Sequence, residues 1–266
     1  SKNYTTAIFN RSIEKTDSLV NNFPNELWIQ TRTIHELTNV LEKPRKIILM
    51  IQSGPAVDEV LSELAPFLEP EDIIIDGGNS HYMDTIRRSH EFFKKNIHFV
   101  GCGISGGEQG ALLGPSMMVG ASREAWQQIQ GFFEALAAKD FYGKPCVTHV
   151  GSDGSGHFVK MVHNGIEYGM LQVIAESYEL LRKMSGSDAL KAAEFFEASL
   201  KGPLNSYVIE IAGAVLRKKD DLTGKYLIES ILDVTEQKGT GNWTVQDALS
   251  RGSAIPGVAE AVFSRM

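Results

Sequence analysis

The sequence predicts a doubly wound α/β domain over residues 1–152, followed by an all-helical domain over residues 153–266. Three observations lead there. Short apolar runs alternate with helical patterns as far as residue 150. Four of those runs end in polar or glycine-rich turns. After Gly151 the alternation stops, and the pattern is helical to the end.

Taken in order, residues 5–10 read as a buried strand ended by Asn10-Arg11-Ser12, with a helix through Leu19 and Val20 behind it. Residues 47–51, which include Met50, form a second strand that ends in Gln52-Ser53-Gly54-Pro55. A helix through Val57, Val60, Leu61 and Leu64 follows. Ile73-Ile74-Ile75-Asp76 is a third strand, ending in Gly77-Gly78-Asn79-Ser80, and the next helix begins near Asp84. Residues 97–100 form a fourth strand, which ends in a glycine-rich stretch through Ser105-Gly106-Gly107. Residues 117–120 and 147–150 are later strands, with a helix through Trp126, Ile129, Phe132 and Phe133 between them. Such alternation implies a parallel sheet, whose ligand crevice lies outside the carboxyl ends of the strands. The polar turns fall at those ends. In the helical part, Phe195-Phe196, Tyr207-Val208-Ile209 and Ile231-Leu232 read as core segments.

With 266 residues, 42% of them hydrophobic and 22% charged, the chain has an ordinary globular composition. A formal charge of −7 argues against nucleic-acid binding, so an anionic ligand needs a local basic site. Two cysteines far apart fit a reducing compartment and a cytoplasmic location. No run reaches transmembrane length, no signal peptide is visible, and no metal-ligand spacing occurs, so neither membrane nor metal is expected.

Residues 154–184 read as one long helix. Its apolar positions, Val159, Val162, Ile166, Met170, Val173 and Ile174, suit a buried helix. Lys160, His163, Asn164, Glu167 and Tyr168 stand at i, i+3, i+4, i+7 and i+8, and so share a stripe. A buried polar group needs partners. A lysine desolvated there has its pKa lowered and can serve as a base near neutral pH. A structural Lys–Glu pair with a satisfied core histidine explains the same spacing.

Two further stretches point to phosphate. The first strand behaves as the second strand of a nucleotide-binding sheet, because no G-x-G-x-x-G fingerprint precedes it. An acidic residue at that strand end selects NAD, whereas the arginine here suits the 2′-phosphate of NADP. Later, Gln237-Lys238-Gly239-Thr240-Gly241 sets a cation and a hydroxyl beside flexible glycines, and Arg265 offers a second cation. A solvated turn accounts for that segment equally well.

Taken together, FNRS at 9–12, IDGGNS at 75–80, GISGGEQGALLGPSMM at 103–118, GSGHFVKMVHNGIEYG at 154–169 and QKGTGNWT at 237–244 resemble the 6-phosphogluconate dehydrogenase family. The broader 3-hydroxyacid dehydrogenases share the S-G-G turn and a Lys followed by Asn four later. They lack the K-M-V-H-N-G-I-E-Y run and the K-G-T-G segment. The resemblance implies NADP-dependent oxidative decarboxylation of 6-phosphogluconate to ribulose 5-phosphate, in the pentose phosphate pathway and gluconate utilization, by a cytoplasmic homodimer. It implies Lys160 as base, Glu167 as acid, and Asn164 on the C3 oxygen. Ser105, Gly106, Gly107 and His163 would hold the carboxylate end of the substrate. Tyr168, Lys238, Thr240 and Arg265 would hold its phosphate. Asn10, Arg11 and Ser12 would hold the 2′-phosphate, and Met50, Gln52 and Asn79 would line the rest of the cofactor site.

The family's glycine fingerprint and its first strand and helix do not occur in this sequence, and the family continues past Met266 into a tail that reaches the partner subunit. The expectation is therefore a chain truncated at both ends, with low cofactor affinity and little turnover by itself. Asn242 stands where many relatives have Lys, and Met118-Val119-Gly120-Ala121 replaces M-P-G-G. Another 3-hydroxyacid dehydrogenase, or a non-catalytic nucleotide-binding or structural form of the fold, are the competing readings.

Overall fold

The computed structural model describes residues 3–186, 188–235 and 239–266, with the backbone alone at Gln109. The chain separates into two compact units, residues 1–161 and 162–266.

Among its described residues the first unit holds seven strands. β1 (Thr6–Ile8) and β2 (Trp28–Gln30) form a two-stranded parallel sheet. β3 (Lys46–Leu49), β4 (Ile73–Asp76), β5 (His98–Ser105), β6 (Ser116–Gly120) and β7 (Val147–Gly151) form a second sheet in that order. The helices between them are α1 (Ile13–Asn22), α2 (Ile34–Val40), α3 (Pro55–Leu64), α4 (Tyr82–Phe93), α5 (Gly107–Leu113) and α6 (Arg123–Leu136).

Alternation along β4 divides the core. Ile73 and Ile75 pack with Val100, Cys102, Val119 and the α6 residues Ile129 and Phe133. Ile74 turns to the other face, with Ile47, Leu49, Phe99 and the α3 residues Val57 and Leu61. Period-two strands buried on both faces call for continuous apolar residues, as in Ile73-Ile74-Ile75, and β4 is buried throughout, its last residue Asp76 included.

Three expectations change here. β2 and α2 were not foreseen, although Thr33 and Glu36 carry a helix-start signal. Thr33 Oγ1 accepts the Glu36 N–H, and Glu36 accepts the Arg32 N–H. The sheet is not wholly parallel, because β5 and β6 pair antiparallel. Residues 106–115 connect them, and a parallel crossover needs a dozen residues or more. The stretch through residue 105, expected as loop, is the end of β5.

The second unit contains most of α7 (Ser155–Ser185), with α8 (Ala189–Ser199), α9 (Tyr207–Arg217), α10 (Thr240–Ser250) and α11 (Pro256–Phe263). Its core is Ala192, Ala193, Phe196 and Leu216, with Ile174, Tyr178 and Leu181 of α7 against it. Small residues on α8 let α9 approach closely, and Asp188 caps α8 by accepting the Lys191 N–H. Of the expected core segments, Phe196 is buried, but Phe195, Tyr207, Ile231 and Leu232 are exposed, Leu232 by 82%. Ile231 and Leu232 lie in a bend, outside any helix or strand that would present them to a core. Among the described residues no helix is long and apolar enough to cross a membrane.

Candidate active site

Helix α7 reverses the expected placement of its residues. Lys160 is only 6% exposed, and His163, Asn164, Glu167 and Tyr168 are half-buried. The apolar positions Val159, Ile166, Met170 and Val173 are exposed, Ile166 by 53%. Of the six apolar positions, four are therefore exposed, while Val162 is half-buried and Ile174 packs on the core of the second unit. A lysine buried this deeply implies that it is held by specific contacts.

In the first unit those contacts begin with glycine. A Cβ on Gly156 would fall 2.1 Å from the Gly101 carbonyl oxygen, 2.4 Å from that of Met118 and 2.7 Å from the Gly120 nitrogen. A Cβ on Gly103 would fall 2.5 Å from Lys160 Cβ. Thus α7 starts with its backbone pressed on β5 and β6, and the Lys160 stem lies along Gly103. Gly103 stands two residues before Ser105, which leads into Gly106 (φ 132°) and Gly107 (φ 57°). Those left-handed angles favour glycine.

The neighbouring strand ends converge on the same edge. A Cβ on Gly77 would meet Met50 Sδ at 2.7 Å and Ile104 Cδ1 at 2.9 Å. Asn79, at φ 53°, donates to the Ile104 carbonyl at 3.2 Å and accepts the Ile104 N–H at 3.0 Å. Gln52 is exposed just beyond β3. At the end of β1, Asn10 Oδ1 accepts the Ser12 N–H, and Arg11 is 89% exposed with Glu59 of α3 at 3.9 Å.

A buried polar network underlies these turns, and the sequence reading missed it. Asp76 accepts the Gly78 N–H at 3.0 Å and the Ser80 hydroxyl at 2.6 Å, with Arg88 Nη1 at 3.7 Å. Arg88 Nε and Nη2 hold Asp58 and the Gly54 carbonyl. The Arg88 hydrogen bonds hold the Asp58 carboxyl down at about 2. Burial, with the Asp76 charge adding, pushes the Cys102 thiol up to about 12, so it stays protonated and inert. His157 is held below the ordinary imidazole value by burial, which outweighs the pull of Asp76. The signal for this network was a lone Asp at the end of an all-apolar strand, with two adjacent arginines on the next helix.

The pH dependence of stability follows. A group whose folded pKa is depressed adds stability above its unfolded value and loses it as pH falls. For His157 the loss starts below about 6.5, the ordinary imidazole value. For Asp58 it starts below about 4 and runs to about 2. Melting temperature should therefore decline from about pH 6.5 downward, and His157→Gln should remove the first stage only. Equal slopes for wild type and variant between pH 7 and 5 would count against the buried neutral imidazole.

In the second unit, Asn164 Nδ2 donates to Thr240 Oγ1 at 3.1 Å. His163 Nδ1 lies 3.2 Å from Asn164 Oδ1 and 3.8 Å from Glu167 Oε2. The Arg265 guanidinium lies 4.0 Å above the Tyr168 ring, a cation–π contact, and reaches Thr235 Oγ1 at 3.3 Å. A Cβ on Gly241 would strike the Tyr168 ring at 2.6 Å, so glycine there lets α10 begin against the ring. A hydroxyl, a phenol and a guanidinium thus gather about the start of α10, where helix N–H groups favour an anion. Lys238 lies outside the described residues. Among the described residues no group of three or more His, Cys, Asp or Glu could hold a metal.

Residues 1–151 match the model of the NAD binding domain of 6-phosphogluconate dehydrogenase, and residues 156–266 match that of the C-terminal domain of 6-phosphogluconate dehydrogenase. The chain belongs to the 6-phosphogluconate dehydrogenase family. It is 47% identical over 266 residues to a 6-phosphogluconate dehydrogenase, decarboxylating, of Lactococcus lactis, covering 100% of this chain and 56% of that protein. It is also 47% identical to an NADP(+)-dependent, decarboxylating 6-phosphogluconate dehydrogenase of Bacillus subtilis, again covering 56% of it. The chain thus spans about 56% of the length of these relatives. Its structure is similar to that of 6-phosphogluconate dehydrogenase from Plasmodium falciparum, studied apo, with NADP+ and with 6-phosphogluconate, at TM-score 0.95 and 42% identity over 99% of this chain and 57% of that one. A 3-hydroxyisobutyrate dehydrogenase of Mycobacterium tuberculosis, at TM-score 0.66 and 18% identity over 87% of this chain and 75% of that one, shares the fold. Family membership agrees with the Rossmann-type unit followed by helices.

Proposed function

We propose that the protein catalyses NADP-dependent oxidative decarboxylation of 6-phosphogluconate to ribulose 5-phosphate and carbon dioxide, as a cytoplasmic homodimer. The observation that carries this reading is Lys160, buried along Gly103 on a helix that also bears Asn164, Glu167 and Tyr168. Residues 1–152 would form the dinucleotide-binding domain, and residues 153–266 the substrate and dimerisation domain.

The residues present suit NADP. Arg11 is an exposed cation at a strand end and fits a 2′-phosphate. The exposed Met50 and Gln52 stand at the end of β3, and Asn79 fixes the next strand end. Asn10 and Ser12 form a tight turn about Arg11. The bound cofactor supplies a hydride acceptor at its nicotinamide.

In the mechanism Lys160 takes the proton of the substrate C3 hydroxyl as the C3 hydride departs. Asn164 holds the C3 oxygen. The 3-keto acid that results loses carbon dioxide while protonated Lys160 stabilises the developing enolate oxygen. Glu167 then delivers a proton to C1 of the enediol. Ser105, Gly106, Gly107 and His163 orient the carboxylate that leaves. Tyr168, Thr240 and Arg265, with Lys238, hold the phosphate. The Arg265–Tyr168 stack supports this last role, because it holds a guanidinium in place over the ring at the start of α10.

The test is NADPH formation from 6-phosphogluconate, measured on the chain itself and on a chimera that joins it to the flanking segments of the Lactococcus lactis relative. Turnover of 3-hydroxyisobutyrate but not 6-phosphogluconate would favour a 3-hydroxyacid dehydrogenase instead. NADP binding without turnover of either, in the chimera, would favour a non-catalytic form. Cofactor choice has its own test. Arg11→Asp should weaken NADP at least tenfold more than NAD, because a carboxylate would face the 2′-phosphate. Equal losses for both cofactors would remove Arg11 from this role.

A further inference from the structure

One buried titratable group on α7 has no part in that mechanism. His157 stands three residues before Lys160 and is fully buried. Its Nε2 lies 3.0 Å from the Asp76 carbonyl oxygen and its Nδ1 lies 2.7 Å from Thr85 Oγ1. A carbonyl can only accept, so Nε2 carries the proton. Nδ1 is then an acceptor, and the Thr85 hydroxyl donates to it. One neutral tautomer satisfies both ring nitrogens. The charged groups acting on the ring are the Asp76 carboxylate and Arg88, and the Cys102 backbone also lies against it.

The two partners of His157 belong to elements that shape the rest of the site. Asp76 ends β4, and its carboxylate ties down Gly78 and Ser80. Between these two residues stands Asn79, which clasps Ile104, the residue next to the glycine that accommodates Lys160. Thr85 lies in the first turn of α4. The backbone of α7 is already pressed on the sheet at Gly156. That contact, with Lys160 along Gly103 and Phe158 against Tyr82, fixes how near the helix comes, but none of these three is a directional polar bond that sets its rotation. The two hydrogen bonds of His157 supply that direction.

We propose that His157 is a positioning residue, a neutral imidazole clamped between the Asp76 carbonyl and the Thr85 hydroxyl that sets the rotation of the first turns of α7 and so places the Lys160 amine. The proposal rests on the reading of Lys160 as the base. Hydrogen bonding at both ring nitrogens, rather than bulk, is what it requires. Glutamine can meet that requirement, since its amide N–H and C=O can donate to the carbonyl and accept from the hydroxyl. Leucine fills the space and can do neither.

The test uses His157→Gln, His157→Leu and Thr85→Val, each with its melting temperature recorded. On the chain itself, competitive labelling with acetic anhydride across pH reports the reactivity of the Lys160 amine relative to exposed Lys183. The leucine variant should change the Lys160 labelling rate about tenfold or more, and the glutamine variant should stay within about threefold of wild type. In the active chimera, the leucine variant should lower kcat by about 10–100-fold, the scale of a misplacement near 1 Å. KM for NADP should hold within about twofold, and glutamine should restore kcat. Folded His157→Leu with wild-type labelling and wild-type kcat would overturn the proposal and leave His157 a packing residue. Should His157→Leu not fold, Thr85→Val decides, because it removes the hydroxyl donor and leaves the ring in place. Unchanged labelling in Thr85→Val would then overturn the proposal. If Lys160→Met keeps its turnover, the base assignment fails, and the labelling comparison still judges the positioning role by itself.

Discussion

Lys160→Met should abolish NADPH formation while the protein stays folded. Methionine keeps the length and apolar stem that lie along Gly103 and removes only the amine. General acid–base groups contribute about 10²–10⁴-fold. Lys160 serves both hydride transfer and decarboxylation in the proposed sequence, so each partial reaction should fall by that order. Glu167→Gln should behave differently. It keeps size and hydrogen bonding, and it should spare formation of the keto acid while slowing protonation at C1. Single-turnover measurement of NADPH, carbon dioxide and ribulose 5-phosphate separates these steps. If the two residues were only a structural pair, both variants would lower the melting temperature and leave the turnover of folded protein near wild type. That result for Lys160→Met would remove it from the mechanism.

The largest structural effect should come from Gly156→Ala. The added methyl would sit 2.1 Å from one backbone oxygen and 2.4 Å from another, and neither belongs to a flexible side chain. Overpacking usually costs about 1–3 kcal/mol. Here α7 would have to lift from β5 and β6, so the cost should reach the top of that range or exceed it. For a protein of this size each kcal/mol lowers the melting temperature by about 2–4 °C. A fall of about 6 °C or more is expected, with loss of activity in the chimera beyond what the folded fraction explains. Gly131→Ala, on α6 with nothing near its Cβ position, serves as the control and should cost little. Equal melting temperatures for the two variants would refute the close approach.

The alternation of apolar runs and helices was legible because strand and helix periods leave different marks. A strand as short as β2 leaves almost none, and its residues do not alternate, so it was missed with α2 beside it. The antiparallel return of β6 was readable in principle from the length of residues 106–115. The sequence by itself determined the family, the order of units and the spacing of Lys160, Asn164, Glu167 and Tyr168 on one helix. It did so because helical period and motif are local properties of the chain. Only the tertiary structure decided which face of α7 is covered. Hydrophobicity pointed to Val159 and Ile166, yet Lys160 is the buried residue. The reason is non-local: glycines at 101, 103 and 120 of β5 and β6 admit the first turns of α7 as far as Lys160, and Asp76 and Thr85, from β4 and α4, supply the hydrogen bonds that hold His157 there. No window of sequence contains both sides of those contacts.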